Sequence, residues 1–198
     1  MRIPKRIVAA LAIAAVGGPV AVTLAQADDP PPPAPPTSTV PVAATSEQKD
    51  AFAVLDRSPN AADEANGLIV QLAAAASRGF DADGARVVGA TATGPIWLVP
   101  ANGALCLALE DTSDDSVGAS CEPSDAVITR GITVGDGTTV YGLVPDGVTA
   151  VDVTDDNNTT TTVEISSGTS VYALDTGHVT VALDGPGGPA SFDVAGGG

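Results

Sequence analysis

Val140-Tyr141-Gly142-Leu143, the turn Pro145-Asp146-Gly147 and Val148-Thr149-Ala150-Val151 form one unit. The chain restates it 31 residues later as Val171-Tyr172-Ala173-Leu174, Asp175-Thr176-Gly177 and Val179-Thr180-Val181. In both copies β-branched and aromatic residues fill two short runs, and turn-forming residues separate them, so each copy reads strand, turn, strand. A fainter third copy is Trp97-Leu98-Val99-Pro100, Asn102-Gly103 and Leu105-Cys106-Leu107. The unit is a β-arch or a hairpin, repeated within one sheet-rich domain; two clear copies are too few for a solenoid.

Strand-like periodicity extends outward from this repeat over residues 80–195. The spacing predicts strands at 86–92, 96–99, 104–109, 126–134, 138–144, 149–154, 160–165, 170–174, 179–183 and 190–194. Turn chemistry separates them: Asn102-Gly103, Asp136-Gly137, Asp155-Asp156-Asn157-Asn158, Ser167-Gly168 and Gly185-Pro186-Gly187-Gly188. Short strands at this density predict a mainly β fold, an antiparallel sandwich or partly open barrel, with α+β as the alternative. Residues 196–198, all glycine, read as a flexible tail.

Upstream, the period becomes helical. Ser46 is placed to cap a helix over 47–56 with Phe52 and Leu55 on one face, and Ser58-Pro59 closes it. A second, alanine-rich helix is expected from 61 or 62 to 77, turning Leu68, Ile69 and Leu72 inward. Neither is long enough to be stable alone, so the 46–79 segment is expected to pack on the sheet.

Residues 1–27 carry the three parts of a secretory signal. Arg2, Lys5 and Arg6 form a basic start, an apolar run follows over 7–16, and small residues end in Ala25-Gln26-Ala27. Cleavage after Ala27 is the expected outcome, with a retained N-terminal anchor as the alternative. Residues 28–45 then read as a proline-rich linker: Pro30-Pro31-Pro32-Pro33-Ala34-Pro35-Pro36 is an extended spacer, since proline fixes φ and removes backbone donors.

The chain of 198 residues has a formal charge of −16. Loss of Arg2, Lys5 and Arg6 with the signal leaves five basic residues against 24 acidic ones, or −19. Such a surface repels phosphate backbones and anionic lipid, so nucleic acid is excluded as a partner and no membrane span is expected after cleavage. It favours cations, basic partners and solubility.

In an exported chain with only two cysteines, Cys106 and Cys121 are expected to pair, Cys106 from a strand and Cys121 from the polar loop after it. The bridge staples a loop that includes Asp111, Asp114 and Asp115. A redox CxxC pair and a zinc site both fail on spacing and ligand number. Calcium is the better ionic candidate, because hard cations want several oxygens on loops. Asp155, Asp156, Asn157 and Asn158 are the first such place; Asp81 with Asp83, Asp114 with Asp115, and Asp152 are others. None of them follows the EF-hand spacing. The single histidine, His178, sits at the turn of the second copy, and no serine lies in a nucleophile elbow. Catalytic residues are therefore not assigned. The six aromatics sit where helix or strand cores would use them, which leaves little for a sugar-stacking platform; Tyr141 and Tyr172 read as repeated core packing.

Phe52-Ala53-Val54-Leu55, Trp97-Leu98-Val99-Pro100, Leu105-Cys106-Leu107, Gly118-Ala119-Ser120-Cys121 and the run from Val140-Tyr141-Gly142-Leu143 through Val144-Pro145-Asp146-Gly147-Val148 together resemble a family of exported actinobacterial proteins. The resemblance covers about residues 47–194. It implies export, a disulfide and one domain, and carries no activity or catalytic residue with it.

These readings converge on an exported, acidic, non-catalytic binding or structural module of the cell envelope or extracellular space, without a cofactor. Its partner is an envelope component or an extracellular protein. Two alternatives are a secreted hydrolase acting on wall material through its carboxylates, and an accessory subunit or inhibitor of a basic extracellular partner.

Overall fold

In the computed structural model the described residues are 43–64, 67–75, 79–165, 170–175 and 179–194, all within the unit Thr37–Gly198. Residues 1–27, expected to be a signal, most of the expected linker, His178, Ser167-Gly168 and the glycines 196–198 lie outside them.

Eleven strands form three antiparallel sheets among the described residues, with no closed barrel. The first is a meander of β1 (Arg86–Ala90), β2 (Pro95–Ala101), β3 (Ala104–Asp111) and β4 (Ser116–Pro123). The second has the order β5 (Ile132–Gly135), β6 (Thr139–Leu143), β9 (Val171–Asp175). The third runs β11 (Gly188–Val194), β10 (Val179–Gly185), β7 (Ala150–Asp155), β8 (Thr160–Glu164). This is the expected mainly β sandwich class, with the sheets in layers.

Side-chain alternation along the strands builds the layers. Ile96, Leu98, Leu105, Leu107 and Leu109 of the first sheet meet Ile132, Val134 and Leu143 of the second in one core. Val140, Tyr172 and Leu174, on the second sheet's other face, meet Val151, Val179, Val181 and Leu183 of the third in another. The middle sheet is therefore buried on both faces. The outer face of the first sheet buries Trp97, Val99 and Cys106 beneath α2 (Gly67–Ala75), whose Ile69 is fully enclosed.

The repeat proves to be an arch. Within each copy the two strands join different sheets, and each strand pairs with its counterpart in the other copy: Val140 faces Leu174, Leu143 faces Val171, and Val151 faces Leu183. Antiparallel pairing puts Tyr141 opposite Ala173 and Tyr172 opposite Gly142, so the two tyrosines point to opposite faces. Tyr141 packs on the first core and Tyr172 enters the second, which corrects the reading of equivalent packing. A Cβ on Gly142 would fall inside the Tyr172 ring, so glycine is needed there to let the ring cross. The third copy is not an arch: β2 and β3 pair directly through the two-residue turn Asn102-Gly103, with Gly103 at φ +69°.

The Tyr172 phenol is buried with no hydrogen-bond partner among the described residues, and burial pushes its pKa well above the ordinary value. A buried hydroxyl without a partner carries a desolvation cost and no return. Tyr172→Phe is therefore expected to leave stability unchanged or raise it by up to about 1 kcal/mol in urea titration. A loss of more than about 1 kcal/mol would show that the hydroxyl has a partner.

Four local expectations are corrected. Thr45, not Ser46, caps α1 (Ser46–Ala51), reciprocally with Gln48, and a separate 3-10 turn at Ala53–Leu55 follows. The second helix is divided into a 3-10 turn at Ala61–Asp63 and α2, because Asn60 and Asp63 form their own capping box. Residues 126–134 are not one strand: α3 (Ser124–Arg130) ends at Gly131, φ +78°, before β5. The β-branched run Val127-Ile128-Thr129 favours a strand, yet Val127 is wholly buried on the helix's inner face, and burial outweighs propensity. Cys121 lies in β4, directly opposite Cys106, not in a loop. The two are bonded, with Cα atoms 4.1 Å apart.

Candidate functional site

The segment after α1 is fixed by two carboxylates. Asp63 is the first. Its side chain is fully inaccessible, and both oxygens accept from the Arg57 guanidinium. Asp63 also accepts the backbone N–H groups of Asn60 and Val87, each at 2.8 Å, while Arg57 donates to the Val87 carbonyl at 3.4 Å. A carboxylate and a guanidinium thus take the place of a neighbouring strand along the open side of β1. Burial alone would raise the Asp63 pKa, but the bonds from Arg57, Asn60 and Val87 together hold it down at about 2.

Asp146, in the first arch turn, is the second. Its backbone N–H donates to the Ala51 carbonyl at 2.9 Å. One carboxylate oxygen accepts from the Ala53 N–H at 2.6 Å and the other from the Ser170 hydroxyl at 3.1 Å. Gly147, at φ +92°, lets the turn close so that Val148 N–H reaches the Pro145 carbonyl. The arch is thereby clamped to the end of α1.

Between these two clamps lies a cleft of about 700 Å³. Phe52, Val54 and Leu143 line it together with Val87 and Val88 of β1, and Val148 and Ile165 complete the apolar lining. Arg57, Asp146, Thr149 and Ser170 supply its polar groups. The size is that of a small-ligand site. Its charged side chains are already engaged, Arg57 by Asp63 and Asp146 by the Ala53 amide and Ser170, so the cleft offers shape and apolar surface more than free charge.

The residues singled out for calcium lie elsewhere. Asp155 begins the β7–β8 turn, where one carboxylate oxygen accepts the amides of Asn157 and Thr159 at 2.9 and 2.8 Å. The Thr159 amide is the largest cause of its lowered pKa. Asn158 closes the turn at φ +58°, and none of Asp155, Asp156, Asn157 or Asn158 lines the cleft. Among the described residues, no group of three or more Asp, Glu, His or Cys side chains converges closely enough to hold a metal ion. The cleft carried no local signal, because residues 52–54, 57, 87–88, 143, 146–149, 165 and 170 meet only through the fold. The Pro-Asp-Gly turn was visible as turn chemistry; the second use of Asp146 as a clamp was not.

Fold and site define a layered antiparallel β-sandwich module with one disulfide and a cleft of mixed apolar and polar lining. Comparison with protein-family models, curated proteins and solved structures finds no match to this chain. The resemblance to exported actinobacterial proteins thus rests on the sequence motifs alone. No helix among the described residues is long and apolar enough to cross a membrane.

Proposed function

We propose that this chain is an exported, acidic binding module of the cell envelope or extracellular space that acts without catalysis and receives its ligand in the cleft beside the first arch. The observation that carries this reading is the engagement of the cleft's charges. Carboxylate-driven hydrolysis needs two convergent acids, one of them free to exchange a proton. Here Asp146 is, among the described residues, the one carboxylate lining the cleft, and both its oxygens accept hydrogen bonds that hold the wall together. The disulfide, the basic-then-apolar start of the chain and the net negative charge support the extracellular setting.

The test is co-sedimentation of the exported protein with separated wall, membrane and soluble fractions at two salt concentrations. Retention by one fraction is expected. Ala53 is exposed and lines the cleft, and its bonds are both through the backbone, its N–H to Asp146 and its carbonyl from the Asp56 N–H, so Ala53→Trp fills the cleft without removing a bond. That variant is expected to bind at least about tenfold more weakly, roughly 1.4 kcal/mol, with an unchanged melting temperature. Equal retention of the variant would move the site away from the cleft. Failure of the wild type to bind any fraction would sink the reading.

A further inference from the structure

We propose that the open edge of β8 receives an extended segment of a partner protein by strand addition, and that this segment alternates basic and apolar residues. The inference is independent of the cleft. β8 is the terminal strand of its sheet, and among the described residues its backbone pairs with β7 alone. The register shows which groups are left over. Ile165 N–H donates to Thr149 O, and Asp155 N–H to Thr159 O, at the two ends of the β7–β8 ladder. Hydrogen-bonded pairs therefore fall at the odd-numbered positions, and Thr160, Thr162 and Glu164 direct their N–H and C=O groups away from β7.

The side chains reinforce this. The Thr160 hydroxyl meets Thr154 Oγ1 at 2.9 Å, and the Thr162 hydroxyl donates to Asp152 at 2.6 Å, both across to β7 and away from the edge. Two other edges are blunted: Val87 of β1 is occupied by Asp63 and Arg57, and β11 carries Pro189, which has no N–H. β8 contains no Pro, Lys or Arg.

Charge and burial set the partner's pattern. From residue 131 to the end the chain has no Lys or Arg, and Asp152, Asp155, Asp156 and Glu164 lie on or beside β8. Residues of an added strand on the Glu164 face would lie beside Thr160, Thr162 and Glu164, with Asp152 one strand further in, so the charges they meet there among the described residues are acidic. On the other face Val153, Val163 and Ile165 are half-buried at the margin of the second core, and apolar side chains beside them would complete their burial. Main-chain bonds give such a contact its affinity, and alternate side chains give it specificity.

The probe is a capped Lys-Val-Lys-Val-Lys-Val-Lys peptide, with a Glu-for-Lys analogue as control, titrated into the full chain while amide exchange is followed by NMR. Binding is expected to slow exchange at Thr160, Thr162 and Glu164 by about tenfold or more, and the Glu analogue is expected not to bind. Thr162→Pro removes an outward N–H and no ladder bond, and should weaken binding by at least about tenfold. If that variant loses its fold, Glu164→Lys decides instead, with an expected loss of several-fold that shrinks at high salt. No binding of the Lys peptide, binding without protection of those three amides, or undiminished binding by the folded variants would overturn the proposal.

Discussion

Asp63→Ala is expected to destabilise the protein by about 3 kcal/mol at neutral pH, the lower end of the range for breaking a buried pair, because Arg57 is one-third exposed and water can reach it. The Asp63 side chain has no solvent exposure and accepts from Arg57, Asn60 and Val87, so its removal strands a guanidinium and uncovers the edge of β1 at once. The same bonds give a pH signature. The carboxyl is held at about 2 in the folded chain against an ordinary 3.8. A depressed carboxyl contributes its full stability above the unfolded value and loses it as pH falls through the folded one. About 2 kcal/mol should therefore disappear between about pH 4 and pH 2, and Asp63→Ala should lack that component. Urea midpoints of both proteins at about pH 7, 4 and 2.5 measure it. Equal stability at pH 7, or a gap between the two proteins that does not narrow in acid, would show that Asp63 does not hold the edge.

The second large effect is expected from the disulfide. Cys106–Cys121 closes a separation of 15 residues, for which the chain-entropy relation gives about 3 kcal/mol. Cys106 is fully buried on the face covered by α2, and Cys121 ties the edge strand β4 to it. The Cys106→Ala/Cys121→Ala double variant should lose about that amount in urea titration, with β4 amides exchanging faster than those of β3. Non-reducing alkylation and intact mass of the purified protein should find no free thiol. Alkylation of both cysteines would refute the bridge and remove one support for export.

How far the chain could be read follows from the range of each signal. The turn Asn102-Gly103 was legible because its chemistry is local. β4 was not, because Ser116, Gly118, Ala119 and Ser120 are weak strand formers; its place is set by registration against β3 and by the Cys106–Cys121 bond. α3 was hidden by its β-branched residues, because its N-cap, Pro123, makes no side-chain capping bond and only Gly131, φ +78°, is a local stop signal. The clamps at Asp63 and Asp146 were invisible, since each joins groups that only folding brings together, such as Asp146 to the Ala53 amide.

By itself the sequence determined the mainly β class, the two-copy repeat and the acidic charge, because composition, period-two alternation and turn residues act over a few positions. Tertiary structure alone decided that the copies are arches and pair with each other. Val144 and Val148 flank Pro145-Asp146-Gly147 and are both buried in the second core, so the connection crosses between layers where a hairpin loop would stay in solvent. Antiparallel pairing then sent Tyr141 and Tyr172 to opposite faces, and the crossing of the first arch over the end of α1 made the cleft. Burial of apolar surface, summed over residues far apart in the chain, fixed those choices, and no local run of residues encodes that sum.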